Sequence, residues 1–348
     1  MIGNVVSGGG RHDCNFYDVI STENLLCAWK EFSKGKRLKE DVALFEMNLE
    51  NNLFDLHRAL ASGQWRPDPY EVFFVHDPKL RKIHKATVKD RVLYQAVYRS
   101  LYQIFDSGFI FHSFSSRNHK GTHRGTLAME KYIRNVSKNY TNSGYVLKCD
   151  IRKFFDSIDH NVLFDLIKEK VTDESILLLV RQIIDSFSTT SGKGLPLGNV
   201  TSQLFANVYM NELVQYVKRV LKTRCYVRYC DDFGIVAESK EYLEDCAEKM
   251  KLFCKNKLLL DIHPRKISIN KISQGVDFLG YILLPHRRVL RTHTKIRLLK
   301  KISNFETVLE GEIIKQKLLE QSVQSYLGVL SHCKGEKIAT QIERLFYD

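Results

Sequence analysis

Cys225-Tyr226-Val227-Arg228-Tyr229-Cys230-Asp231-Asp232-Phe233-Gly234-Ile235-Val236 sets two adjacent carboxylates between two runs of β-forming residues. Such runs pair as a hairpin with the acids at its tip. Like charges held there repel unless a cation lies between them. A hard divalent ion takes a few carboxylates and keeps its other positions for water and substrate phosphates, so an acidic tip is a candidate phosphoryl-transfer site. The competing account is an ordinary surface turn. A second strand ending in an acid would separate the two.

Tyr145-Val146-Leu147-Lys148-Cys149-Asp150-Ile151-Arg152-Lys153-Phe154-Phe155-Asp156-Ser157-Ile158-Asp159-His160 supplies that strand. An apolar run leads into Asp150, and an aromatic pair and a helix start at Ser157 or Asp159 follow it. A two-metal site needs carboxylates from separate strands converging on one point. One ion then activates the attacking oxygen while the other steadies the leaving pyrophosphate. Asp150 and Asp231 suit this arrangement. Asp159 reads as a helix cap, and Asp156 fits a cap or a site equally well.

Together these stretches resemble the reverse transcriptase family. Asp150 to Phe155 is similar to its first palm motif, Leu195-Pro196-Leu197-Gly198-Asn199-Val200-Thr201-Ser202-Gln203 to its second, and Tyr229 to Asp232 to its signature tetrapeptide. The Gly-x-x-x-Ser-Gln ending, Arg117 to Arg124 and Gly275 to Tyr281 resemble the bacterial branch that contains diversity-generating retroelement enzymes and defence-associated enzymes. The resemblance implies an α/β (α+β) right-hand polymerase. Its divisions would be a flexible arm at 1–20, fingers with N-terminal helices at 21–135, a palm at 136–284 and a helical thumb at 285–348.

The resemblance also implies roles. Asp150 and Asp231 would bind two Mg²⁺ ions, with Mn²⁺ as a substitute, helped by the Ile151 carbonyl and by Asp232. Lys266 would protonate pyrophosphate. Phe155, five positions after Asp150, would be the steric gate against a ribose 2′-hydroxyl. Lys79, Arg81, Lys82 and Arg117 would hold the triphosphate, with Leu197 and Gly198 beside the nascent base pair. Leu197 stands where many high-fidelity relatives carry Gln, and so resembles the error-prone retroelement enzymes. Template and primer contacts would come from Lys120, His123, Arg124, Ser202 and Gln203, and from Gly280 and Tyr281 in a primer-grip hairpin. Arg288, Arg291 and Lys295 are spaced to share one helical face, which suits a thumb helix tracking a duplex.

Composition agrees with a nucleic-acid partner. The chain has 348 residues, 44% of them apolar, and 53 basic against 40 acidic side chains, a formal charge of +13. That surplus favours a polyanion. No run of about 18 apolar residues suggests a membrane span, and eight scattered cysteines without a Cys-x-x-Cys pair read as reduced core residues of a cytoplasmic protein. The implied partners are an RNA template, specifically a dedicated noncoding RNA, a DNA product, deoxynucleoside triphosphates and an accessory protein or second subunit. Two rivals are an RNA-directed RNA polymerase, which Phe155 opposes, and a nonenzymatic maturase-like scaffold, which has no use for three clustered acids.

Overall fold

Nine strands lie among the described residues: β1 (Glu71–His76), β2 (Leu80–Lys85), β3 (Tyr145–Asp150), β4 (Tyr226–Tyr229), β5 (Asp232–Ala237), β6 (Ser268–Lys271), β7 (Val276–Phe278), β8 (Tyr281–Leu284) and β9 (Arg287–Leu290). The structure is a computed structural model that describes residues 15–76, 79–306 and 313–347. The chain divides into two compact units of three interleaved segments each, rather than into successive blocks. The first is Met1–Phe111, Ile151–Tyr216 and Lys251–Asp261; the second is His112–Asp150, Val217–Met250 and Ile262–Asp348.

The first unit is mainly helical. Val88–Asp106 is its central helix, started by Thr87, whose side chain accepts from the Asp90 N–H, and it packs against Thr22–Ser33 and Val200–Gln215. Trp29, Val92, Leu93, Val97 and Leu101 are buried there because apolar residues recur at helical spacing on both partners. Buried Asp90 is satisfied by the Trp65 indole and the Asp68 N–H, as a charge removed from water requires. β1 and β2 form an antiparallel hairpin in this unit, with Phe74 opposite Lys82 and Val75 opposite Arg81.

Two expectations change here. The arm assigned to 1–20 gives way at Phe16–Ile20 to a helix that buries Val19 and Ile20, while 1–14 lie outside the described residues. The helical spacing of Leu44, Met47, Leu53, Leu56 and Leu60 predicts one helix from about Glu40 to Leu60, and the structure has two, Glu40–Met47 and Leu49–Ala61. Asn48 leaves helical geometry at φ −125°, ψ 37°. Leu44 and Met47 are consequently exposed, and Leu53, Leu56 and Leu60 bury the inward stripe.

The second unit holds an antiparallel sheet in the order β4-β5-β3-β6 and an antiparallel meander β7-β8-β9. Val146, Leu147 and Cys149 are all buried, so β3 is covered on both faces and reads as a nearly continuous apolar run. Gly234 on β5 is required by close packing: a Cβ there would lie 2.8 Å from the Met129 methyl carbon and 3.1 Å from the Leu147 carbonyl.

The thumb expectation needs correction. Arg288 lies on β9, and the helix begins only at Thr292. Pro285 and His286, the latter at φ 60°, turn the chain back to pair as a third strand, so Arg288, Arg291 and Lys295 share no helical face. The same spacing predicts Ile296, Leu299 and Ile302 on the core side; Leu299 packs against the core, Ile296 is 46% exposed and Leu298 is buried instead, and the side chain of Ile302 lies outside the described ones. All seven described cysteines are free, and no described helix is long and apolar enough to cross a membrane.

Candidate metal and nucleotide site

Asp150 closes β3 and Asp232 opens β5, and the two pair directly. Residues opposite each other in an antiparallel ladder share a face, with Cβ atoms about 5 Å apart. Tyr229 closes β4 opposite Asp232, which leaves Cys230 and Asp231 as the two-residue turn. The expected hairpin tip thus holds one of the two acids, and the other begins the returning strand. Cys230 takes φ 56°, a left-handed conformation that costs a non-glycine residue about 1–2 kcal/mol.

All three acids are partly buried. Burial, followed by repulsion from Asp150, raises the Asp231 carboxyl above its ordinary range. Burial also pushes Asp232 up to about 6; Lys148 opposes that rise, and Asp150 and Asp231 add to it. Lys266 Nζ lies 2.6 Å from Asp150 Oδ1, and the Asp150 carbonyl accepts from the His263 N–H at 2.8 Å. The Cys230 thiol is raised to about 12, first by burial and then by Asp231. It is therefore a neutral side chain at physiological pH.

Among the described residues, no three His, Cys, Asp or Glu side chains are grouped closely enough to enclose a metal ion. Mg²⁺ needs no such cage, since it keeps waters and binds through one or two carboxylates plus substrate phosphates. The donor set fits that pattern. Burial, with repulsion from Asp150 added, raises both Asp231 and Asp232, a cost that a divalent ion would relieve, and Lys266 supplies a compensating charge to Asp150.

The first unit contains a cleft of about 460 Å³ lined by Leu80, Arg81, Lys82, His84, Asp156, Phe187, Thr189, Leu195 and Leu197, among others. Its walls are joined by backbone bonds. The His84 N–H donates to the Leu197 carbonyl at 3.3 Å, and the Leu195 N–H donates to the Phe155 carbonyl at 2.8 Å. Gly198 has φ 119°, and a Cβ there would meet Ile83 Cγ2 at 3.3 Å. Arg81, Lys82 and Leu197 are therefore neighbours, and exposed Lys79 immediately precedes β2. Phe154 is buried core, whereas Phe155 is half-buried and does not line this cleft. Asp159 caps the following helix through the Asn161 and Val162 N–H groups. Asp156 lies within the short helix Phe154–Ser157 rather than at its cap and lines the cleft.

Other candidates are placed as follows. Ser202 is 2% exposed and packs in the first unit, so its hydroxyl is no surface contact, whereas Gln203 is exposed. The Tyr281 ring is likewise buried, and its hydroxyl donates to the Val329 carbonyl at 3.1 Å. The hairpin around it is real, with Leu279 at φ 48° and Gly280 at φ 90°. His123 stacks on His332 with ring centroids 3.7 Å apart. Arg124 Nη1 donates to the His119 carbonyl, and Lys120 lies over the Phe114 ring. Arg117 Nη1 donates to the Ser113 carbonyl at 3.0 Å. Arg288 pairs with Glu130 at 2.5 Å and Arg291 with Asp277, while Lys295 is exposed. Two residues escaped the sequence reading. Lys148 shares a strand face with Asp150 and offsets the charge of Asp232, and Arg228 lies buried behind the turn. Each is a cation placed inside an apolar strand, a local inconsistency that is itself a signal.

The model of the family described as reverse transcriptase (RNA-dependent DNA polymerase) matches residues 76–283. Protein YkfC of Escherichia coli (strain K12) is 22% identical over 284 residues, covering 70% of this chain and 74% of that protein. The group II intron-encoded protein LtrA of Lactococcus lactis subsp. cremoris is 23% identical over 309 residues, covering 68% of this chain. This chain spans 50% of the length of LtrA. Among solved structures, telomerase from Candida albicans in complex with a fragment of telomeric RNA aligns with a TM-score of 0.49 at 11% identity, covering 82% of this chain and 61% of that one.

Proposed function

The chain belongs to the reverse transcriptase (RNA-dependent DNA polymerase) family, and from that premise we propose that it copies a dedicated RNA into DNA at the Asp150, Asp231 and Asp232 site. The reaction is attack of a primer 3′-hydroxyl on the α-phosphate of a deoxynucleoside triphosphate, with pyrophosphate leaving. The observation that carries this reading is the pairing of Asp150 with Asp232 beside the Asp231 turn, inside the segment that matches the family.

Asp150, Asp231 and the Ile151 carbonyl would hold two Mg²⁺ ions, which when bound polarise the attacking and leaving oxygens. Asp232 sets the local field. Lys266, 2.6 Å from Asp150, would compensate charge and give a proton to the departing pyrophosphate. Arg81 and Lys82, with Lys79 next to them in sequence, supply cations for the triphosphate, and Leu197 and Gly198 form the adjoining wall. Arg117 adds a further cation. Gln203, Lys120, Arg124 and Lys295 offer polar or basic groups to template and primer, with the Gly280 turn against the primer end.

The branch resemblance supports two biological roles: copying a template repeat in a diversity-generating element, or making DNA from a noncoding RNA in antiphage defence. Primer extension on RNA, with deoxynucleotides and ribonucleotides compared side by side, tests the reaction. Deoxynucleotide preference is expected from Phe155, and equal or greater ribonucleotide use would instead favour an RNA-directed RNA polymerase. Sequencing the nucleic acid that copurifies with the chain identifies the template and separates the two roles.

A further inference from the structure

Arg228 is 1% exposed although it carries a full charge. A buried guanidinium gives up its hydration, a cost that each donor meeting an acceptor offsets. Here Nη1 donates to the Cys230 carbonyl at 3.0 Å and Nη2 to the Ser113 hydroxyl at 2.6 Å. The backbone at Arg228 is fixed too: its N–H donates to the His112 carbonyl at 3.0 Å, and its carbonyl accepts from the Phe114 N–H at 2.9 Å. Segment 112–114 therefore runs beside β4, bridging to it in parallel through Ser113.

The carbonyl that Arg228 binds belongs to the peptide joining Cys230 to Asp231. Its orientation sets where the Asp231 carboxylate goes, and Cys230 is held in the left-handed region at φ 56°. Arg117 meets the other end of the same path, donating to the Ser113 carbonyl at 3.0 Å. Arginine suits the position because its planar fork reaches two acceptors at fixed angles, whereas lysine offers a single ammonium.

We propose that Arg228 is a positioning residue for Asp231: bonded to the Cys230 carbonyl and braced by Ser113, its guanidinium holds the turn that presents Asp231 to divalent metal ions, and couples that turn to the segment bearing Arg117. The inference rests on the metal role given to Asp231 above. It does not depend on which nucleic acid is copied.

The test compares wild type, R228K, S113A and D231N. R228K keeps the charge and loses the fork, and S113A removes only the brace. Binding of Mn²⁺ to the substrate-free protein is followed by electron paramagnetic resonance, with Tm measured on the same samples. Primer extension gives kcat and the KM for deoxynucleotide. Mn²⁺ affinity is expected to fall about tenfold in R228K, which loses the fork to both acceptors, and about threefold in S113A, which loses one of the two charge-assisted bonds, with kcat falling in the same order. Ser113 is itself buried and its loss leaves one guanidinium donor without that acceptor, so the Tm of S113A should fall by a few degrees, with the protein still folded at the assay temperature. Wild-type Mn²⁺ binding in folded R228K would overturn the proposal, as would losses of binding that merely follow losses of Tm across the series. Should wild type bind Mn²⁺ and yet extend no primer, the proposed reaction falls, while the binding series still decides the role of Arg228.

Discussion

Asp232 exemplifies a residue whose chemistry works against the stability of its fold. In the native protein its proton is held up to about pH 6, whereas the ordinary value is 3.8. Between those values the native state binds more protons than the unfolded chain, so stability falls as pH rises, and the whole cost is present above about 6. Asp232→Asn should therefore raise stability in metal-free buffer by about 2–3 kcal/mol at pH 7.5, with no gain below pH 3.8. Urea denaturation across pH measures this, and a gain that is flat with pH would contradict it. Added Mg²⁺ should stabilise wild type more than the variant. Residue by residue, the acids were legible because an acid at the end of an apolar strand is rare in pattern. Arg228 and Lys148 were not, since only the folded sheet shows which acceptor a strand cation meets. Ser202 and Tyr281 failed for the opposite reason: a motif position says nothing of burial, and both are enclosed.

At the scale of elements, β9 shows where periodicity misleads. Arg288, Arg291 and Lys295 are spaced for a helix, but Pro285 and the His286 turn commit the first part of the stretch to a third strand. Arg288 there pairs with Glu130, both side chains being 10% exposed. Breaking a buried pair by removing one partner costs about 3–5 kcal/mol. Arg288→Ala should thus lower stability by several kcal/mol, while exposed Lys295→Ala should leave it within about 0.5 kcal/mol. Chemical denaturation of the two variants is the check, and equal effects would show that the pair adds nothing. A second element-scale prediction concerns the His123–His332 stack. Burial, followed by the charges of His332 and Arg288, lowers the His123 imidazole below its ordinary 6.5. An imidazole depressed in the fold contributes stability above pH 6.5 that is lost as pH falls toward its native value. His123→Asn should flatten the acid limb of the stability curve below pH 6.5, read by Tm at half-unit steps of pH. An unaltered acid limb would mean that the stack carries no titration. The helix start at Asp159, by contrast, was legible to the residue because its cap is explicit, and the break at Asn48 was not, because the apolar spacing continues through it.

For the whole molecule, the surplus of 53 basic over 40 acidic residues divides into two populations. Lys85, Lys89, Arg91, Arg99 and Arg288 are spent on carboxylates within the fold, and Lys79, Arg81, Lys82 and Lys295 remain exposed. Composition predicted a polyanionic partner but not which cations face it. Binding to an RNA–DNA duplex should weaken linearly with the logarithm of salt concentration, and neutralising Arg81, Lys82 and Lys295 together should reduce that slope by about one for each phosphate that no longer meets a cation. The central claim is nearer the chemistry: Asp150 and Asp231 perform metal-dependent nucleotidyl transfer, and the basic surface supplies affinity. The most direct measurement is extension of a primer on an RNA template by the purified Asp150→Ala/Asp231→Ala protein in Mg²⁺, with template-primer affinity measured alongside. Extension is expected to vanish while affinity stays within about threefold of wild type; near-native extension by the double variant would contradict the account.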